Sequence, residues 1–363
     1  MNLNIFKETT YYILSPSNFS SGGPKHMHQL GVELRNLGKN VFMYYYPNDT
    51  EDPVHENLKN YDLPYARNIE DLDKNVLVVA EVNDQILVSK KYKNIQKVLF
   101  WQSLDHFFIT HYQQNFPKYI KSIIKIPFRT ICKFNEITKN YFGNLSLAKY
   151  LKIIYLNFPF LNLVKMNDFK LNLAQSYYQY KQLSSKNVKS YYLNDFIRKE
   201  FFEAAKNISL KNKQNIICYN PVKSSSFMKR IIDSNPSIKF VPLYNYSIQE
   251  IIKILSRSKI YLDFGYHPGV DGLPREAAIL KNCIITNREG SAFYSEAVPI
   301  NEKYKFEEKK KNLIQIKTLI SKIFENFEGE LQNFDEYVDI LEKEESIFKS
   351  RVANIFDNKK NIQ

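Results

Sequence analysis

The residues from Lys259 to Ala292, KIYLDFGYHPGVDGLPREAAILKNCIITNREGSA, place chemically useful side chains around a repeated pattern of strand, loop and helix. Lys259–Phe264 is predicted to be a short apolar strand. The turn-rich loop Tyr266–Gly272 carries His267 and Asp271. Pro274 suits the first position of a helix, which would put Arg275 and Glu276 in its first turn, where a carboxylate complements the helix dipole. Cys283–Thr286 reads as a second buried strand, and Gly290 and Ser291 open the loop after it. Their backbone N–H groups either form a nest for a phosphate or close an ordinary turn. Polar groups therefore gather at the carboxyl ends of parallel strands, where open α/β sheets bind ligands.

The run HPG…DGLPREAA…TNREGSA resembles the donor-binding half of GT-B glycosyltransferases, above all the large retaining family four and its relatives. Similar runs occur in glycosyltransferase-like proteins of bacterial surface-polysaccharide clusters. In that family a glutamate at the start of the helix binds the ribose of a nucleotide-sugar, and Glu276 is the matching residue here. A second family glutamate stands eight positions earlier. This chain has Pro268 there, with His267 beside it. Asp271 then either replaces the missing acid or caps the helix, and His267 either faces the donor or is a plain loop residue.

The resemblance implies two Rossmann-like doubly wound domains facing a central cleft. It also implies basic residues, after the first strand of the second domain and along the next helix, that neutralise the donor diphosphate. Lys223 holds that position in Asn220–Lys223, with Arg275 and Arg288 as rivals. A departing nucleoside diphosphate needs such charge, from a side chain or a metal. The chain has no DxD after a strand, so a protein cation is expected, with no metal and no cofactor beyond the nucleotide-sugar itself.

The elements that must position these groups alternate in α/β fashion. Tyr11–Leu14 reads as a strand, Ser20–Pro24 as a loop, and Met27, Leu30, Leu34 and Leu37 as the apolar face of a helix. Pro24 suits its start and Gly38 its end. Gly22 and Gly23 would let backbone approach a ligand, or simply make a tight turn. Val41–Tyr46, Val76–Ala80 and Lys97–Trp101 follow as strands. Asp105 and His106, just after the last of these, are the two candidates for the base that activates an acceptor hydroxyl. His26 and His28 are two apart and do not share a helix face, so HxH is weak evidence for a metal.

Residues 1–195 are thus expected to form an acceptor-side domain and 196–340 the nucleotide-sugar domain. The helix and tail 341–363 are expected to pack back on the first domain. Residues 116–170 interrupt the alternation and are read as a helical insertion. That segment holds ten Lys or Arg against two acids, among eleven aromatics. Much of the chain's +13 net charge is therefore local, the composition an anionic bilayer surface attracts. Its confinement, with no recognisable nucleic-acid module, argues against a nucleic-acid binder.

Three widely spaced cysteines (Cys132, Cys218, Cys283), no leader-like N-terminus and no run of about 18 apolar residues point to a cytoplasmic chain, with peripheral membrane contact. The expected activity is transfer of a sugar from a nucleotide-sugar to a glycan or lipid-linked glycan in capsule- or lipopolysaccharide-type synthesis. The alternatives are a non-catalytic GT-B scaffold that binds a membrane or a partner transferase, and a nucleotide-sugar epimerase.

Overall fold

The computed structural model describes residues 3–83, 86, 89–115, 118–137, 150–151, 169–265, 267, 269 and 271–357. It divides into two compact units. The first comprises Met1–Thr130, Ser146–Asp195 and Ser346–Gln363, the second Ile131–Leu145 and Phe196–Glu345.

The first unit is built on a six-stranded parallel sheet of β1 (Thr10–Pro16), β2 (Asn40–Tyr46), β3 (Val76–Ala80), β4 (Gln96–Trp101), β5 (Leu171–Ala174) and β6 (Tyr191–Tyr192). Its order is β2-β1-β3-β4-β5-β6, so the winding reverses between β1 and β3. All five residues of β3 are buried, as expected of a central parallel strand covered on both faces. Helix α1 (Gly22–Asn36) buries Met27, Leu30 and Leu34, and the chain leaves it through Gly38 at φ +74°. It begins two residues earlier than the sequence suggests. Pro24 is its third residue, a place that also lacks an intrahelical acceptor for an N–H.

Helices α2 (Leu104–Asn115) and α3 (Lys118–Ile137) follow β4, and α4 (Tyr177–Ser184) follows β5 behind a Ser176–Gln179 capping box. Trp101 is fully buried and donates to Asn172 Oδ1 at 3.0 Å, which ties β4 to β5.

The second unit carries a five-stranded parallel sheet. Its strands are β7 (Gln214–Tyr219), β8 (Lys239–Pro242), β9 (Ser258–Asp263), β10 (Cys283–Asn287) and β11 (Lys305–Phe306), in the order β11-β10-β9-β7-β8. Here the winding reverses between β7 and β9. Its longer helices are α5 (Lys199–Lys206), α6 (Ser226–Asp233), α7 (Ile248–Leu255), α8 (Gly272–Ile279) and α9 (Asn312–Glu325), with a five-residue helix at Phe327–Leu331. The last helix is α10 (Asp335–Phe356), whose residues from Ser346 belong to the first unit. The buried Lys213 ammonium donates to the carbonyls of Leu255, Ser258 and Leu280 at 2.9, 2.8 and 2.6 Å. It thereby fastens the ends of α7 and α8 to the start of β9.

Of the expected insertion 116–170, the described part is α3 with residues 150–151 and 169–170. Lys139, Lys149, Lys152 and Lys165 lie outside the described residues. Among the described residues no helix is long and apolar enough to cross a membrane.

Candidate functional site at the carboxyl ends of the sheets

In the second unit the turn after β7 and the loop after β9 meet edge to edge. Ser224 bridges Gly265, and Ser225 N–H donates to Phe264 O at 2.9 Å. A side chain at Gly265 would bring Cβ to 2.0 Å from Lys223 O, so only glycine allows this approach. The result is a cluster of four charged groups. Lys223 Nζ contacts one carboxylate oxygen of Asp271. The other lies 2.6 Å from His267 Nδ1, and His267 Nε2 lies 3.1 Å from Asp263 Oδ1. Charge dominates these contacts, the pull of the two carboxylates outweighing their hydrogen bonds to the ring.

The electrostatics follow from that geometry. Burial by itself would push the His267 imidazolium to lower pKa, but the Asp263 and Asp271 carboxylates reverse this and hold it at about 10. Burial would raise Asp271, yet His267 first and Lys223 second keep it well below the usual carboxylate range. Two carboxylates thus face two cations. Asp263, His267 and Asp271 offer ligand atoms within 4.8 Å of one another. They could hold a divalent cation only with the imidazole neutral and Lys223 withdrawn. With both cations present, the cluster is already balanced. His267 is 4% exposed whereas the Lys223 side chain is 48% exposed, so Lys223 is the cation able to move.

The loop after β10 braces the cluster from behind. Gly290 has φ +57°, and a Cβ there would lie 2.1 Å from His267 O. Ser291 N–H donates to that same carbonyl at 3.0 Å. It is therefore spent on His267, not held open as a nest. The buried Ser291 hydroxyl has no hydrogen-bond partner among the described residues. Asn287 donates both to Gly265 O and to Glu308 Oε1.

Helix α8 begins at Gly272, with Asp271 at its N-cap and Pro274 third, so Glu276 stands in the second turn, not the first. Its carboxylate still reaches back over the first turn: a Cβ on Gly272 would sit 3.3 Å from Glu276 Oε1. Arg275 is turned away. Its guanidinium is buried against both Glu344 oxygens at 3.0 and 2.9 Å and also donates to Asp271 O. Arg288 contacts Glu302. Of the three basic candidates, Lys223 is the one placed on the His267–Asp271 pair.

Exposed apolar surface frames the same end of the sheet. Val222 follows β7, Tyr244 and Tyr246 follow β8, and Phe293 follows β10, all exposed. Neither these nor Asp263 stands out in the sequence. Two tyrosines two and four residues beyond a short strand were the available signal for flat aromatic surface at a strand end.

In the first unit Gly22 and Gly23 open α1. Nothing lies within 4 Å of a Cβ on Gly22, while one on Gly23 would meet Gln102 Oε1 at 2.3 Å, and Gln102 Nε2 donates to Gly23 O. The buried Glu81 carboxylate accepts from the N–H groups of Gln102 and Ser103 at 2.8 and 2.9 Å. Ser103 Oγ accepts in turn from His106 N–H at 3.3 Å. Asp105 and His106 both stand in the first turn of α2, with His106 exposed. His26 and His28 are structural: His26 Nε2 contacts Asn194 O at 3.0 Å, and His28 bridges Pro24 O and Tyr45 Oη at 2.7 and 2.8 Å.

No family model and no curated protein matches the chain. Solved structures do. Anabaena Alr3699/HepE in complex with UDP and glucose is 9% identical, covers 97% of this chain and 100% of its own, and superposes with a TM-score of 0.54. The fold is GT-B. Sucrose-phosphate synthase from Thermosynechococcus elongatus is 11% identical over 96% of this chain and 95% of its own, with a TM-score of 0.47. A glycosyltransferase from Rickettsia africae is 13% identical over 97% and 95%, with a TM-score of 0.45.

Proposed function

We propose that this GT-B chain is a glycosyltransferase that moves a sugar from a nucleotide-sugar to a glycan or lipid-linked glycan acceptor. The cell-surface polysaccharide pathways of bacteria are its proposed setting. One observation carries the reading: the Lys223–Asp271–His267–Asp263 cluster stands at the carboxyl ends of β7 and β9, where the winding of the second sheet reverses. Ligands of open α/β sheets bind at such a point. The likeness to a protein solved with UDP and glucose supports a nucleotide in that place.

The cluster suits a departing diphosphate. Asp271 is shared between a buried imidazolium and a half-exposed ammonium. Lys223 can turn toward a phosphate while His267 stays on Asp271, and the one net negative charge then left on the two carboxylates favours an ammonium that bridges Asp271 and the phosphate. Preorganised positive charge then meets the charge that develops on the leaving group. Glu276, over the first turn of α8, accepts hydrogen bonds from ribose hydroxyls, and Tyr244 and Tyr246 offer flat surface to a base. Transfer proceeds without an essential metal. In the first unit Asp105 or His106 takes the acceptor proton.

A panel of nucleotide-sugars tests this by thermal unfolding. A ligand that binds only the native state stabilises it by about 2.7 kcal/mol at a hundredfold excess over its dissociation constant. At least one donor should raise the midpoint, and the same donor should be consumed when acceptor glycans are supplied. No shift with any nucleotide-sugar would overturn the reading.

A further inference from the structure

Helix α3 is twenty residues long, yet no described side chain between Lys118 and Lys133 is fully buried. Its protein-facing side is thin. Ile124 packs on the first core, Tyr112 Oη donates to Lys121 O at 2.8 Å, and Lys125 Nζ lies 6.0 Å from the Tyr112 ring. Among the described residues the opposite side is apolar and exposed. Ile123 and Ile126 are 63% and 62% exposed, Pro127 is exposed beside them, and a second stripe carries Lys118, Arg129 and Lys133, all exposed. No acid occurs in the helix before Glu136.

We infer that this face of α3 is a docking surface for an anionic lipid bilayer. Two exposed isoleucines one turn apart are disfavoured in water unless something covers them. The flanking cations choose the cover: apolar insertion beside positive charge matches acyl chains beneath anionic headgroups. A helix of this kind lies in the interface plane and does not cross it. Each basic residue near such a surface strengthens partition by about fivefold, and salt screens the effect. The inference goes beyond sugar transfer and is read without a donor, so its failure leaves the transferase reading standing.

The test is co-sedimentation of the full chain with vesicles of phosphatidylglycerol and phosphatidylcholine, against vesicles of phosphatidylcholine alone. The chain should sediment with the anionic vesicles, less as salt rises, and poorly with neutral ones. I123S/I126S should weaken binding about tenfold or more, and K118E/R129E/K133E should abolish it. All five positions are exposed, so circular dichroism of the variants should match the parent. Failure of the parent to bind anionic vesicles, or variants that bind as well as the parent, would overturn the inference. So would a dimer in solution that I123S/I126S dissolves while vesicle binding is absent, since a second copy of the chain would then be the occupant.

Discussion

His267 Nδ1 lies 2.6 Å from Asp271 Oδ2, inside a protein interior that leaves the histidine 4% exposed. A buried imidazole in contact with a carboxylate on each side is held charged, and it keeps a cation on Asp271 when Lys223 turns to a ligand. The loop after β9 is thus an electrostatic device as well as a connector.

This device makes stability depend on pH in a defined direction. His267 has its pKa raised from 6.5 to about 10. Its contribution is therefore complete below pH 6.5 and is lost as pH rises through about 10. H267Q leaves Asp263 and Asp271 without that cation and should cost about 3 kcal/mol at pH 6. Urea unfolding of parent and variant at pH 6, 8 and 10 should show the difference shrinking step by step. A difference that stays constant or grows with pH would refute the assignment.

Gly265 should tolerate no side chain. Its Cβ would lie 2.0 Å from Lys223 O, which is backbone and cannot swing aside. G265A should destabilise the fold by about 1–3 kcal/mol, the usual cost of overpacking, and weaken nucleotide binding by displacing Lys223. A variant with the parent's melting temperature and affinity would show that the two loops are not pinned together there.

Metal removal should leave transfer intact. The two carboxylates of the cluster already face Lys223 and His267. Activity should survive EDTA, and added manganese or magnesium should not raise it. Complete loss on chelation, restored by either ion, would place a cation on Asp263, His267 and Asp271 instead.

The parallel sheets were legible where a strand is apolar throughout: Val76–Ala80 is a strand in the sequence and in the structure, with the same bounds. Helix starts were less so. Pro274 fits any of the first helical positions, and Asp271 with Gly272 sets the true start two residues earlier. The choice among Lys223, Arg275 and Arg288 was not legible at all. Arg275 is taken by Glu344, 69 residues away, and Arg288 by Glu302. Asp263 reads as one more residue of the strand Lys259–Phe264, and only folding brings it to His267. Sequence pattern reports burial and period, whereas partners between distant segments are settled by packing.

Calorimetric titration of nucleoside diphosphates into the parent, E276A and K223A tests the central claim most directly. At least one nucleoside diphosphate should bind the parent. Each substitution should weaken that binding by about 1–3 kcal/mol, the range for losing a hydrogen bond to a charged group. A parent that binds none of them, or folded variants that both bind as tightly as the parent, would contradict a nucleotide site at the carboxyl ends of β7 and β9.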